Sequence, residues 1–263
     1  LKCDLLFCNP YPTPEQIHRY YNSEMKSFEN EFFRDSFEKR INIFMPRIEL
    51  VQKYKSQGKL LDVGSAIGIF IEALHRAKAP FDLACCDISE EACNELGAKY
   101  PNLRVFQKDY LGIDIEVQFD VITLWDTIEH IVDSKSLLHK TYQLLKDDGI
   151  FIFSTPNTDS FEWICAAEQH VQILPPGHVN LMNSKCIEIL LKNNRFRVID
   201  AFTLNASLDI SYIKKLIQND QIDLSSIGNF LSKEVFDPDF EQILEEYLVK
   251  KRKAGNIVVI AQK

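Results

Sequence analysis

The chain has little of what would place it in a membrane, outside the cell or on a polyanion. No run of about 18 apolar residues interrupts its length, and no basic, apolar and small-residue succession marks a secretory signal. A soluble, cytoplasmic protein with no membrane partner is therefore expected. The seven cysteines are odd in number and contain no C-x-x-C pair, which points to free thiols in a reducing compartment. Cations are scarce, with a net charge of −8, so nucleic acid is not an expected partner. Lys250 to Lys253 is a basic run beside Glu245 and Glu246 and reads as the solvated end of a helix. Glycines are few, and none falls into G-x-G-x-x-G or G-x-x-x-x-G-K-[ST]. That removes the usual dinucleotide fingerprint and the phosphate loop.

What is present is a large apolar fraction, 46% of 263 residues. That is enough for one sizeable α/β domain with an insertion. The organising stretch is Leu60-Leu-Asp-Val-Gly-Ser-Ala-Ile-Gly-Ile-Phe70. Lys59 to Val63 reads as a buried strand and Phe70 to Arg76 as the opening of a helix, with a tight turn of low bulk between them. Such a turn brings backbone N–H groups and a helix N-terminus close to a ligand at the carboxyl end of the strand. Asp62 at that end would repel a pyrophosphate and suit the ammonium group of an amino acid.

Asp62-x-Gly64-x-Ala66-x-Gly68 resembles the first motif of the class I S-adenosylmethionine (SAM) dependent methyltransferases, with Ala66 in place of a glycine and Ser65 where Cys is frequent. The resemblance implies that Asp62, Gly64, Ser65, Ala66, Gly68 and Phe70 surround the methionine part of SAM. Phe81 to Asp87 reads as a second strand. Asp87 follows Gly68 by about 20 residues, the spacing at which an acid meets ribose hydroxyls in nucleotide-binding sheets. Ile88 joins it as a cofactor contact, while Ser89 serves as the cap of the next helix. Leu103 to Tyr110 reads as a third strand; by resemblance Asp109 and Tyr110 hold the adenine edge. Phe119 to Asp126 is a fourth, apolar throughout as a central parallel strand would be. The run FDVITLWDTIEHIVD is similar to the fourth motif of quinone-type O-methyltransferases, and it adds Trp125, Asp126 and Glu129 to the expected cofactor contacts. Ile150 to Ser154 is expected as the fifth strand after a turn at Lys146 to Gly149, Arg195 to Phe202 as the sixth, and Gly255 to Ala261 as an antiparallel last strand.

The expected fold is thus α/β, a Rossmann-like doubly wound sheet of seven strands. Expected boundaries are 1–55 for an N-terminal segment with lid helices, 56–205 for the core, 206–253 for a helical insertion forming a lid or dimer surface, and 254–263 for the last strand. Thr13 with Pro14 announces a helix to Tyr21. The Cys3 to Pro14 run resembles the leader of some small-molecule methyltransferases, which places Tyr21 as a lid residue over the cofactor. In those proteins Cys3 would be the last ligand of a zinc ribbon, but one ligand makes no tetrahedral site, so no metal is expected. A long amphipathic helix follows to Tyr54, interrupted or kinked at Pro46.

A sulfonium methyl is already electrophilic, so the protein's work is alignment, exclusion of water and acceptance of a proton. Of the six histidines, His130 follows the fourth strand tip, and His178 lies in Pro-Pro-Gly-His-Val-Asn, similar to the family's substrate-side loop. His178 is the expected base, with His130 and Glu129 as its wall; a structural role for His178 in that loop is the competing reading. The overall expectation is methyl transfer from SAM, leaving S-adenosylhomocysteine, to a hydroxyl of a small-molecule acceptor, by a monomer or homodimer. Two alternatives stand beside it: a SAM-binding protein without transferase activity, and a nicotinamide-dependent oxidoreductase, against which the missing third fingerprint glycine speaks.

Overall fold

The computed structural model describes residues 3–21, 33–204 and 238–263. The N-terminal segment holds a two-residue strand, β1 (Leu6–Phe7), and a helix, α1 (Pro14–Tyr21). Thr13 and Gln16 start that helix by reciprocal capping, the Gln16 N–H donating to Thr13 Oγ1 and the Thr13 N–H to Gln16 Oε1. The next helix, α2 (Phe37–Tyr54), continues through Pro46 without a break. Buried Ile41, Ile48 and Val51 clamp it on both sides of the proline, so packing offsets the hydrogen bond that proline cannot make.

The core alternates regularly: β2 (Gly58–Val63), α3 (Ile69–Arg76), β3 (Phe81–Asp87), α4 (Glu90–Lys99), β4 (Arg104–Gln107), β5 (Phe119–Trp125), α5 (Ser134–Leu144) and β6 (Leu145–Pro156). Then come the short α6 (Phe161–Ala166), β7 (Asn180–Leu181), α7 (Ser184–Asn193), β8 (Arg197–Leu204), α8 (Pro238–Lys250) and β9 (Asn256–Gln262). Seven strands form one sheet in the order β4-β3-β2-β5-β6-β9-β8. β2 to β6 are parallel, and β9 runs antiparallel to both neighbours. β1 pairs with β7 in a separate ribbon.

Strand periodicity explains the two-sided core. Leu60, Val121, Ile150, Ile152, Val258 and Ile260 point to the face covered by α2 and α3. Their neighbours Leu61, Ile122, Phe151, Phe153, Ile257 and Val259 point to the face covered by α5 and α7. Burying each such side chain contributes about 1.5–3 kcal/mol, and their contiguity on both faces is what makes the sheet doubly wound.

The expected architecture is thus observed, with local differences. β6 begins at Leu145, earlier than expected; the Lys146 to Gly149 turn is absorbed as an irregularity between Phe119 and Val121 of β5. β8 and β9 keep their expected lengths but lie two residues and one residue further along the chain. Of the expected insertion, residues 206–237 lie outside the described residues; Pro238 opens α8. No helix among the described residues is long and apolar enough to cross a membrane.

Candidate active site

Because β2 to β6 are parallel, their carboxyl ends share one edge, and Asp62, Asp87 and Trp125 stand at those ends. The turn after β2 is held from two sides. Gly64 N–H and Ser65 N–H donate to Cys86 O at 2.9 and 3.2 Å. Ala66 N–H donates to Asp87 Oδ2 at 2.8 Å, and Ser89 N–H to Asp87 Oδ1 at 2.9 Å. Asp87 thereby ties the first turn to the start of α4, while Ser89 caps that helix by accepting from Ala92 N–H. Gly64 sits at φ 74°, and a Cβ there would lie 2.5 Å from Thr127 Oγ1. Both the left-handed backbone and the close approach of the segment after β5 require glycine.

Asp62 is 2% exposed and accepts from Thr123 Oγ1 at 2.7 Å. Burial pushes its carboxyl up to about 7, the Thr123 hydroxyl opposing. Phe70 and Trp125 form an edge-to-face pair, ring centroids 5.3 Å apart. Asp126 adopts φ 49° and is pinned there. Its Oδ1 accepts from Ser154 Oγ at 2.9 Å and Asn256 Nδ2 at 2.7 Å. Asp109 caps the short turn Tyr110–Gly112 by accepting from Leu111 N–H. The Tyr110 ring is 4% exposed in the core, its hydroxyl paired with Thr141. Any cofactor contact at Tyr110 would therefore run through its backbone and not the ring. Ile88 is exposed at the tip of β3. Tyr21 closes α1, and its side chain lies outside what the structure describes.

Sequence reasoning missed Arg47. It stacks over Phe44 at 3.9 Å and Trp125 at 4.7 Å, with Nη2 3.9 Å from Asp126 Oδ2. Its Nη1 is buried without a hydrogen-bond partner among the described residues. Burial lowers its pKa, opposed by Asp126 and Asp62, and a guanidinium stays charged there. A signal existed: Arg47 shares a helix face with Phe44 and Val51, three and four residues away.

The second cluster joins Glu129, His130 and His178. Glu129 is buried and accepts from Thr155 Oγ1 at 2.9 Å. Burial, then Asp126, pushes its carboxyl well above the usual carboxylate range. His130 Nδ1 lies 2.9 Å from Gly177 O, and His178 Nδ1 2.9 Å from Gln172 O. Carbonyl oxygens only accept, so both rings carry the Nδ1 proton and, when neutral, present a lone pair at Nε2. The rings meet edge-on with centroids 4.8 Å apart. Donor atoms of all three residues lie within 4.8 Å of one another. No ligand spacing on one element of the sequence supports a metal here, yet a carboxyl and two imidazoles at that spacing could coordinate a cation. Beyond the pair, His170 stacks on Trp163 at 4.2 Å, and burial, then His178, lowers its pKa to about 4.

A doubly wound sheet with a reversed strand inserted beside its last parallel member, and acids at successive strand tips, defines a class: the class I SAM-dependent methyltransferases. The chain belongs to the methyltransferase domain family, whose model matches residues 37–201. It is similar to two ubiquinone biosynthesis O-methyltransferases of Actinobacillus pleuropneumoniae. The serotype 5b protein is 32% identical over 158 residues, covering 53% of this chain and 66% of that protein. The serotype 7 protein is 28% identical over 212 residues, covering 68% and 88%. A SAM-dependent methyltransferase from Archaeoglobus fulgidus superposes with a TM-score of 0.59 at 19% identity, covering 92% of this chain and 100% of that one.

Proposed function

We propose that the chain transfers the methyl group of SAM to a hydroxyl oxygen of a small, conjugated acceptor such as a phenol. The observation that carries this reading is the His130–His178 pair, each ring fixed as the Nδ1–H tautomer. It stands in the segments that follow β5 and precede β7. The A. pleuropneumoniae relatives, named as O-methyltransferases of ubiquinone biosynthesis, favour oxygen as the acceptor atom.

The residues at the strand tips fit SAM. The turn at Gly64 leaves no room for a side chain, Asp62 suits an ammonium group, and the buried Nη1 of Arg47 offers a donor to a carboxylate. Asp87 and Asp109 stand where ribose and adenine contacts are expected. When bound, SAM supplies an activated methyl group. Everything else falls to the chain: it orients the acceptor, excludes water and receives the acceptor's proton.

Magnitudes select the acceptor class. An imidazole with a pKa near 6.5 removes a phenolic proton of pKa near 10 at a cost of about 5 kcal/mol. A water-like hydroxyl near 15.7 would cost about 12 kcal/mol. His178 is the base in this reading. His130 stands beside it, next to Glu129, whose carboxyl burial pushes well above the usual carboxylate range.

The reading is tested by incubating the protein with methyl-labelled SAM and a set of phenols, enols and alkanols, then repeating with His178→Ala. Labelled methyl ether formed from phenols and lost in the variant supports it. Equal transfer to alkanols, or undiminished transfer by the variant, would overturn it.

A further inference from the structure

The N-terminal segment is bound to the histidine-bearing loop residue by residue. Cys8 N–H donates to Val179 O at 3.0 Å, and its thiol donates to His178 O at 3.5 Å. Tyr11 Oη donates to Asn180 Oδ1 at 2.8 Å, and Leu6 and Phe7 pair with Leu181 and Asn180. The last of these contacts is steric. Gly177 faces the phenol of Tyr20 so closely that a Cβ there would lie 2.7 Å from Oη and 2.9 Å from Cζ. The same Gly177 offers its carbonyl to His130 Nδ1 and precedes His178 in the chain.

We propose that Tyr20 is a positioning residue for the His130–His178 pair, acting through Gly177. The phenol is a backstop: with no side chain at 177, the peptide seats against the ring, and its carbonyl is thereby aimed at His130. The second contact of that loop, Val179 N–H donating to Glu129 O at 2.8 Å, fixes the far end of the same short span. The His130 ring is thus oriented by a peptide that is held between α1 and the turn after β5 and that leads directly into His178. The assignment rests on the reading of this pair as the acceptor's proton-handling groups, and it gives α1 a role that its distance in sequence conceals.

Gly177→Ala places a methyl group against the phenol and 3.1 Å from Leu174 O, and Tyr20→Ala removes the nearer obstacle. The test compares wild type, Gly177→Ala, Tyr20→Ala and the double variant in the full chain. Ring-nitrogen NMR reads the Nδ1–H of His130, and calorimetry reads SAM binding. The expected result is loss or displacement of the His130 Nδ1–H signal in Gly177→Ala, faster solvent exchange of that proton in Tyr20→Ala, and only partial return of the signal in the double variant, with SAM affinity within threefold throughout. Turnover of a phenol should fall at least tenfold in Gly177→Ala and at least threefold in Tyr20→Ala, and recover only in part in the double variant. An unaltered signal in Gly177→Ala, or unchanged His130 exchange and turnover in Tyr20→Ala, overturns the assignment. Should Gly177→Ala not fold, Tyr20→Ala decides alone: faster solvent exchange of the His130 proton supports the role, and unchanged exchange overturns it. A wild type that methylates no phenol overturns the acceptor reading, while the ring-nitrogen signals still decide the role of Tyr20.

Discussion

The carboxylate of Asp87 accepts the backbone N–H of Ala66 across 2.8 Å, so the acid at the tip of β3 and the turn after β2 are one mechanical unit. Its other oxygen takes the N–H of Ser89. Asp87→Ala leaves both donors without that partner and should weaken SAM binding at least tenfold, about 1.4 kcal/mol, with a lower Tm. Asp87→Asn keeps one acceptor oxygen and should lie between. Calorimetry with SAM and S-adenosylhomocysteine, beside a thermal melt, checks both.

Asp62 sets a pH dependence. Burial raises its pKa to about 7, above the ordinary value of about 3.9 in an unfolded chain. A raised pKa means that the folded state holds the proton more tightly. The associated stability is full below about pH 4 and is lost as pH rises through 7. Asp62→Asn should therefore raise the Tm of the ligand-free protein at pH 8 and change it little at pH 4. Toward SAM the sign reverses, because an ammonium group needs the ionised form. Wild-type affinity should climb between pH 6 and 8, and the Asn variant should bind weakly and without that climb. A flat wild-type profile would remove Asp62 from the ammonium site.

Arg47 is predicted to bind SAM through charge and fork geometry together. Arg47→Met keeps the packing on Phe44 and Trp125 but not the charge, and should lower SAM affinity about tenfold with little loss of Tm. Arg47→Lys keeps the charge without the planar fork and should recover only part of the loss. Equal affinity in all three proteins, read by calorimetry, would assign Arg47 to packing alone.

His178→Ala should lower kcat by about 10²–10⁴ while leaving the SAM Kd within threefold, the range expected of general base catalysis. Added imidazole should restore part of the rate. His130→Ala should lower kcat less, since it removes the neighbour and not the base.

Gly64→Ala combines a left-handed φ with a Cβ only 2.5 Å from Thr127 Oγ1. The backbone conformation alone costs about 1–2 kcal/mol, so a Tm loss and weakened SAM binding are expected. Adding Thr127→Ala relieves the clash but not the φ strain, so recovery should be partial.

Much of this was legible in the residues because the local signals agree. Leu60 to Phe70 reads as strand, turn and helix, and each buried strand carries the continuous apolar run of a parallel core. Asp62, Asp87 and Asp109 then fall at strand tips by spacing alone. Contacts between distant segments were not legible. Tyr110 sits beside an expected adenine contact, yet its ring is drawn into the core, because a large apolar surface outweighs one hydroxyl that Thr141 satisfies. Arg47 was hidden in a helix read for its apolar stripe. The docking of Cys8, Tyr11 and Tyr20 on the loop around His178 spans about 160 residues of chain, and no periodicity encodes such a contact.

Asn256, the first residue of β9, reaches Asp126 across the sheet, and that strand is threaded between β6 and β8. During synthesis a chain released through Leu204 already owns six of the seven sheet strands. It still lacks the one that joins β8 to the rest. Until residues 256–262 emerge, β6 and β8 expose unpaired backbone, and Asp126 lacks one of its two hydrogen-bond donors. The interval between those two events is when the nascent chain is most open to mispairing. The active edge is thus closed by residues made after every other strand of that sheet, which makes the arrival of β9 a condition for its chemistry.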